Sequence, residues 1–153
     1  MRLRTKTTLV AGVTLAASAL TIAGLATARS ESRAVGSPTE DQLVAIRAKA
    51  LEFAAANGDS SPSVLRAVAG TRNAVVKATM RGATVDTDQP VFVVEIQGDF
   101  VAHGASVPPG HPQPRGSHLL LVFDADDLEL TDWAVTRMPT DLSVFGPPIP
   151  LES

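Results

Sequence analysis

Three histidines, His103, His111 and His118, stand eight and seven residues apart around a segment crowded with proline and glycine. Imidazole nitrogens joined by a carboxylate such as Asp124 or Asp126 form a donor set able to hold zinc or a related ion. These spacings match no metal-binding motif, so the expectation is three exposed loop imidazoles and no metal. A second constellation, Asp124, Asp126, Asp127, Glu129 and Asp132, has the oxygen density of a calcium loop. The EF-hand pattern needs Gly at its sixth position and Glu at its twelfth; counted from Asp124, those places hold Glu129 and Val135. That motif fails, and a looser calcium site stays open beside the plainer reading of an acidic, solvated hairpin turn.

Ser117-His118 is the one serine beside a histidine. Neighbours in a strand project to opposite faces, so the two are not expected to share a proton. No Gly-x-Ser-x-Gly elbow is present, and no glycine loop precedes a helix that would offer its amide end to a phosphate. Nothing in the spacing sets two carboxylates ~5–9 Å apart across a cleft, as glycoside hydrolysis requires. The absence of cysteine excludes disulfide scaffolds, thiol catalysis, Cys-ligated zinc and lipid attachment through sulfur. The chain reads as a non-enzyme without catalytic residues or cofactor.

Contact chemistry is what remains. Residues 103–118 hold Pro108, Pro109, Pro112 and Pro114 with Gly104, Gly110 and Gly116, and neither ladder nor helix runs through such a mixture of fixed and free dihedrals. A long exposed loop is expected, and a loop of ~16 residues lacking secondary structure is uncommon in a compact domain unless it is functional or disordered. His103, His111 and Arg115 on this loop, Phe100 before it and Trp133 on a later strand are the residues expected to meet a partner, since aromatics dominate hot spots. Core packing is the competing role for Phe100 and Trp133.

The elements that position these residues follow from periodicity. Ser37-Pro38-Thr39-Glu40 offers a capping box with Pro38 at the first helical position. Leu43, Ile46, Ala50, Phe53 and Asn57 then form a helical stripe that Asn57-Gly58 ends. Asp59-Ser60-Ser61-Pro62 is turn chemistry. Val64 to Gly70 reads as a short strand followed by a helix from a Thr71 cap to Met80, or else 63–80 is one broken helix; β-branched and alanine positions pull in opposite directions. Gly82 to Gln89 is a loop. Pro90 opens a strand with Phe92, Val94 and Ile96 toward the core and Val91, Val93, Glu95 and Gln97 away from it. Gly98-Asp99 breaks or bulges this strand. Leu119 to Phe123 is apolar throughout, as in a strand covered on both faces, and Leu130 to Arg137 returns as its hairpin partner with Trp133 and Val135 inward. The proline-limited stretch ending at Pro150 is expected to lie over the core as a strap.

Arg2, Arg4 and Lys6 precede an apolar run from Leu9 to Ala28 that ends in the small residues Ala26-Thr27-Ala28. These are the three regions of a secretory signal, with cleavage expected after Ala28; a retained anchor is the competing reading, since such a run could cross ~30 Å of hydrocarbon. Residues 29–37 are polar and read as a flexible leader, and 38–153 as a single α+β domain. Without residues 1–28 the chain has ten basic and sixteen acidic groups. That balance argues against nucleic acid and against stable membrane association after cleavage, both of which need clustered Lys and Arg.

Pro90-Val91-Phe92-Val93-Val94-Glu95-Ile96-Gln97-Gly98-Asp99-Phe100, Pro108-Pro109-Gly110, Leu121-Val122-Phe123-Asp124-Ala125 and Asp132-Trp133 together resemble small exported actinobacterial proteins of unknown function. More distantly, a helix followed by the Val-Phe-Val-Val-Glu-Ile strand and the Val-Phe-Asp-Ala hairpin is similar to PepSY domains, with their cystatin-like layout. Here Asp127-Leu128 replaces the usual Thr-Gly of that hairpin. The resemblance implies inhibition of peptidases or residence near the cell wall. The reading is therefore a two-layer α+β domain, its N-terminal amphipathic helix packed on a three- or four-stranded antiparallel sheet. It is expected to be secreted or wall-associated and to meet an extracellular protein or the cell wall by surface contact; the alternative is a PepSY- or cystatin-like peptidase inhibitor.

Overall fold

The computed structural model describes residues 35–80 and 85–151. The expected export segment and the leader as far as residue 34 lie outside the described residues, as does part of the loop expected after Gly82. Helix α1 spans Glu40–Ala56. Its cap is Thr39 rather than Ser37: the Thr39 hydroxyl accepts from the Gln42 amide at 3.3 Å, and the Thr39 amide donates to Gln42 Oε1 at 2.9 Å. The Thr39 pattern wins because Gln42 serves twice, its Nε2 also donating to the Ala125 carbonyl at 3.1 Å and so tying the helix start to a hairpin turn. Glu40 and Asp41 then sit in the first turn, where negative charge favours the helix dipole.

Strand β1, Val64–Thr71, leads directly into helix α2, Arg72–Thr79, which resolves the ambiguity of this stretch in favour of strand then helix. Strands β2 (Pro90–Val101), β3 (Arg115–Asp124) and β4 (Leu130–Thr136) follow. A 3₁₀ turn over Leu142–Phe145 and a two-residue strand β5, Ile149–Pro150, complete the elements among the described residues. The sheet is antiparallel with five strands in the order β4-β3-β2-β1-β5. The C-terminal stretch is thus an edge strand rather than a strap. Ile149 and Pro150 pair with Ala67 and Arg66 of β1, and the Leu151 amide donates to the Leu65 carbonyl at 2.9 Å. Proline is admissible there because an edge leaves one side of the ladder unpaired.

The sheet has two buried faces, which corrects the two-layer expectation. On one face Ile46, Ala50 and Ala54 of α1 share a cluster with Phe92, Val94, Ile96, Leu119, Leu121 and Phe123. On the other, Val75 of α2 and Leu142 of the 3₁₀ turn share a cluster with Val68, Val91, Val93, Leu120 and Val122. Each large apolar side chain so buried contributes about 1.5–3 kcal/mol, and that drive draws Val91 and Val93 inward although they alternate with a core set. Glu95, expected to face solvent, is only 3% exposed. Among the described residues no helix is long and apolar enough to cross a membrane.

Candidate functional site

The loop between β2 and β3 is built from its base. At Gly98-Asp99 the ladder shifts register between Gln97 and Phe100, and the Asp59 carboxylate accepts from the freed Asp99 amide at 3.0 Å. Past the bulge, Phe100 stays on the face of Phe92, Val94 and Ile96. It is fully buried in the cluster beneath α1, so it is not available as a contact residue, contrary to the expectation for it. Just beyond, the Ala102 amide donates to the Pro114 carbonyl at 2.8 Å and closes the loop's neck. Two tight turns shape the interior, Ala105 N–H to the Ala102 carbonyl at 3.0 Å and His111 N–H to the Pro108 carbonyl at 3.1 Å. A surface excursion whose ends meet in this way is an Ω-type loop. The loop closes at Pro114 rather than running to His118, because β3 already begins at Arg115. Gly116 permits that: a Cβ there would collide with the Thr136 carbonyl of β4.

Trp133 lies beneath the loop. Its ring is half-buried and tilted at 60° to Phe53 of α1, with centroids 5.5 Å apart, and Gly104 covers it so closely that an added Cβ would lie 3.2 Å from Cζ2. On the loop and at its close, His103, His111 and Arg115 are exposed. The third histidine does not join them: His118 sits in β3 opposite Gln97 and Thr136 and lines a separate cleft. Among the described residues no three His, Asp or Glu side chains converge as a metal site would require.

Ser117 and His118 do touch, which corrects the expectation from strand alternation. The Ser117 hydroxyl is 3.0 Å from His118 Nδ1 and donates to the Arg137 carbonyl at 3.2 Å. A short side chain can fold along the strand, and Nδ1 lies close to its own backbone, so opposed Cβ directions do not keep them apart. The tautomer of His118 sets which of the two donates in this contact.

The carboxylates of the β3–β4 turn are engaged in shaping it. Asp124 accepts from the Asp126 amide and Asp127 from the Glu129 amide, both at 2.8 Å. Asp132 takes Arg72 in a two-pronged pair, Nε to Oδ2 at 2.8 Å and Nη2 to Oδ1 at 3.2 Å. The Asp132 hydrogen bond pushes the Arg72 pKa up further, with burial opposing and the charges of Asp132 and Asp124 adding. Lys49 reaches across from α1 to the Leu128 carbonyl at 2.8 Å.

The residues that sequence reasoning missed are Arg66, Glu95 and Gln97, which meet across the β1–β2 ladder. Their signal was a single charge set in each of two apolar runs. No protein-family model, curated protein or solved structure matches the chain.

Proposed function

We propose that this chain is an exported, non-enzymatic domain that acts by surface contact with an extracellular protein or the cell wall. The contact surface is the loop Ala102–Pro114 together with Trp133 and Arg115. One observation carries the reading: a loop closed at its neck and seated through Gly104 on a half-buried tryptophan, with His103 and His111 exposed along it and Arg115 exposed at its close. A closed loop that presents exposed polar groups from a rigid scaffold is suited to recognition. The apolar run up to Ala28 and the small residues at its end support export.

The test replaces residues 104–113 with a two-residue turn in the full chain. Folding, followed by the single tryptophan and by circular dichroism, is expected to persist, while capture of extracellular proteins or sedimentation with cell-wall fragments is lost. Retained capture overturns the role of the loop. A panel of secreted peptidases run alongside identifies the inhibitor alternative, which requires stoichiometric loss of peptidase activity.

A further inference from the structure

The sheet face that carries α2 is covered along only part of its length. Toward the loop end, the places next to the Val68, Val93 and Val122 layer are taken by Arg66 and Glu95, and then by Val64, Gln97 and His118. Those five side chains and Pro139 line an open cleft of about 490 Å³, within the range of small-ligand sites. Glu95 organises it. Its Oε2 accepts from Arg66 Nε at 2.8 Å and Nη2 at 2.5 Å, and its Oε1 accepts from the Thr140 amide at 2.5 Å. One edge of the guanidinium is therefore fixed by a carboxylate that is 3% exposed, while the Arg66 side chain itself remains 39% exposed. Among the described residues Arg66 Nη1 and the Gln97 carboxamide have no hydrogen-bond partner.

We propose that this cleft binds the terminal carboxylate of a peptide. A guanidinium held along its Nε edge presents its Nη1–Nη2 edge in the fork geometry that matches a carboxylate. Gln97 offers a donor and an acceptor to the adjoining peptide group, His118 a ring nitrogen, and Val64 and Pro139 an apolar wall for the last side chain. Charge decides between anions. Glu95 already balances Arg66, and Asp141 lies close enough to feel the Arg66 charge, so the cleft has no surplus positive charge for a doubly charged phosphate, and a singly charged carboxylate is held by the geometry of the fork. The site shares no residue with the loop surface, so the two proposals fail separately.

The experiment titrates the full chain with acetyl-Ala-Leu, its C-terminal amide and glucuronate, by calorimetry and by ¹⁵N NMR of the arginine side chains. The free peptide acid is expected to bind and to move the Arg66 Nε signal, with the amide about tenfold weaker or worse, as for loss of a charge-assisted fork. Arg66→Lys keeps a cation beside Glu95 but loses the fork, and is expected to weaken the acid about tenfold. Should that variant fail to fold, Gln97→Ala with His118→Ala is expected to weaken the acid severalfold in a folded protein. The proposal is overturned if acid and amide bind alike, if neither binds, if glucuronate matches the peptide acid, or if the folded variants bind as the parent does.

Discussion

Arg66 and Glu95 face each other across the β1–β2 ladder, a guanidinium still 39% exposed neutralising a carboxylate that is 3% exposed. The asymmetry sets the cost of breaking the pair. Arg66→Ala strands a buried charge, and because water can reach the vacated side the loss is expected to be about 2–3 kcal/mol, below that of a fully buried pair. Glu95→Gln with Arg66→Ala should recover much of it. Urea melts of the parent and these two variants measure this, and an Arg66→Ala protein as stable as the parent would contradict the assignment.

Phe53 and Trp133 pin α1 to the edge strand of the sheet. Phe53→Ala removes a half-buried ring and is expected to cost about 2–3 kcal/mol, short of the value for a fully buried phenylalanine. It should also red-shift the emission of the chain's one tryptophan, because solvent gains the face that Phe53 covers. An unchanged spectrum would place Trp133 elsewhere.

Gly116 lies against the Thr136 carbonyl, leaving no room for a methyl group. Gly116→Ala must push β3 and β4 apart at one end of their ladder, at about 1–3 kcal/mol. Amide exchange should quicken at Thr136 and Arg137 while the far end near Asp132 stays protected.

Asp141 caps the 3₁₀ turn, its Oδ1 accepting from the Ser143 hydroxyl at 2.5 Å and the Ser143 amide at 3.1 Å. The Ser143 hydroxyl bond, then the amide bond, hold its carboxyl below the usual aspartate range, with the Arg66 charge a smaller contributor. A folded-state pKa lower than the unfolded one stabilises above the ordinary aspartate range and fades as pH falls through the lowered value. Asp141→Asn is therefore expected to be less stable than the parent at neutral pH, and the gap should close in acid. A gap that widened on acidification would reverse the sign and exclude this cap.

What could be read from the residues depended on how local the cause was. The stripe through Ile46, Ala50 and Phe53, the apolar run Leu119 to Phe123 and the bulge at Gly98-Asp99 each follow from neighbours in sequence. The inward turn of Val91 and Val93 does not, because a strand apolar at both parities leaves its second face undecided until α2 and the 3₁₀ turn cover it. The pairing of Ile149 and Pro150 with β1 and the meeting of Arg66 with Glu95 depend on register, which only the assembled sheet supplies. Of the expected contact set, His103, His111 and Arg115 are exposed and Trp133 is half-buried. Phe100 went inward because it keeps the alternation of Phe92, Val94 and Ile96 and joins their cluster.

Leu151, 6% exposed, shares one apolar cluster with Ile46 of α1. A ribosome delivers the first of these residues long before the second, so the cluster beneath α1 stays incomplete at the margin of β1 until residues 149–151 arrive. A stop codon before Ile149 should therefore yield a product that binds hydrophobic dyes and is cleared by proteases.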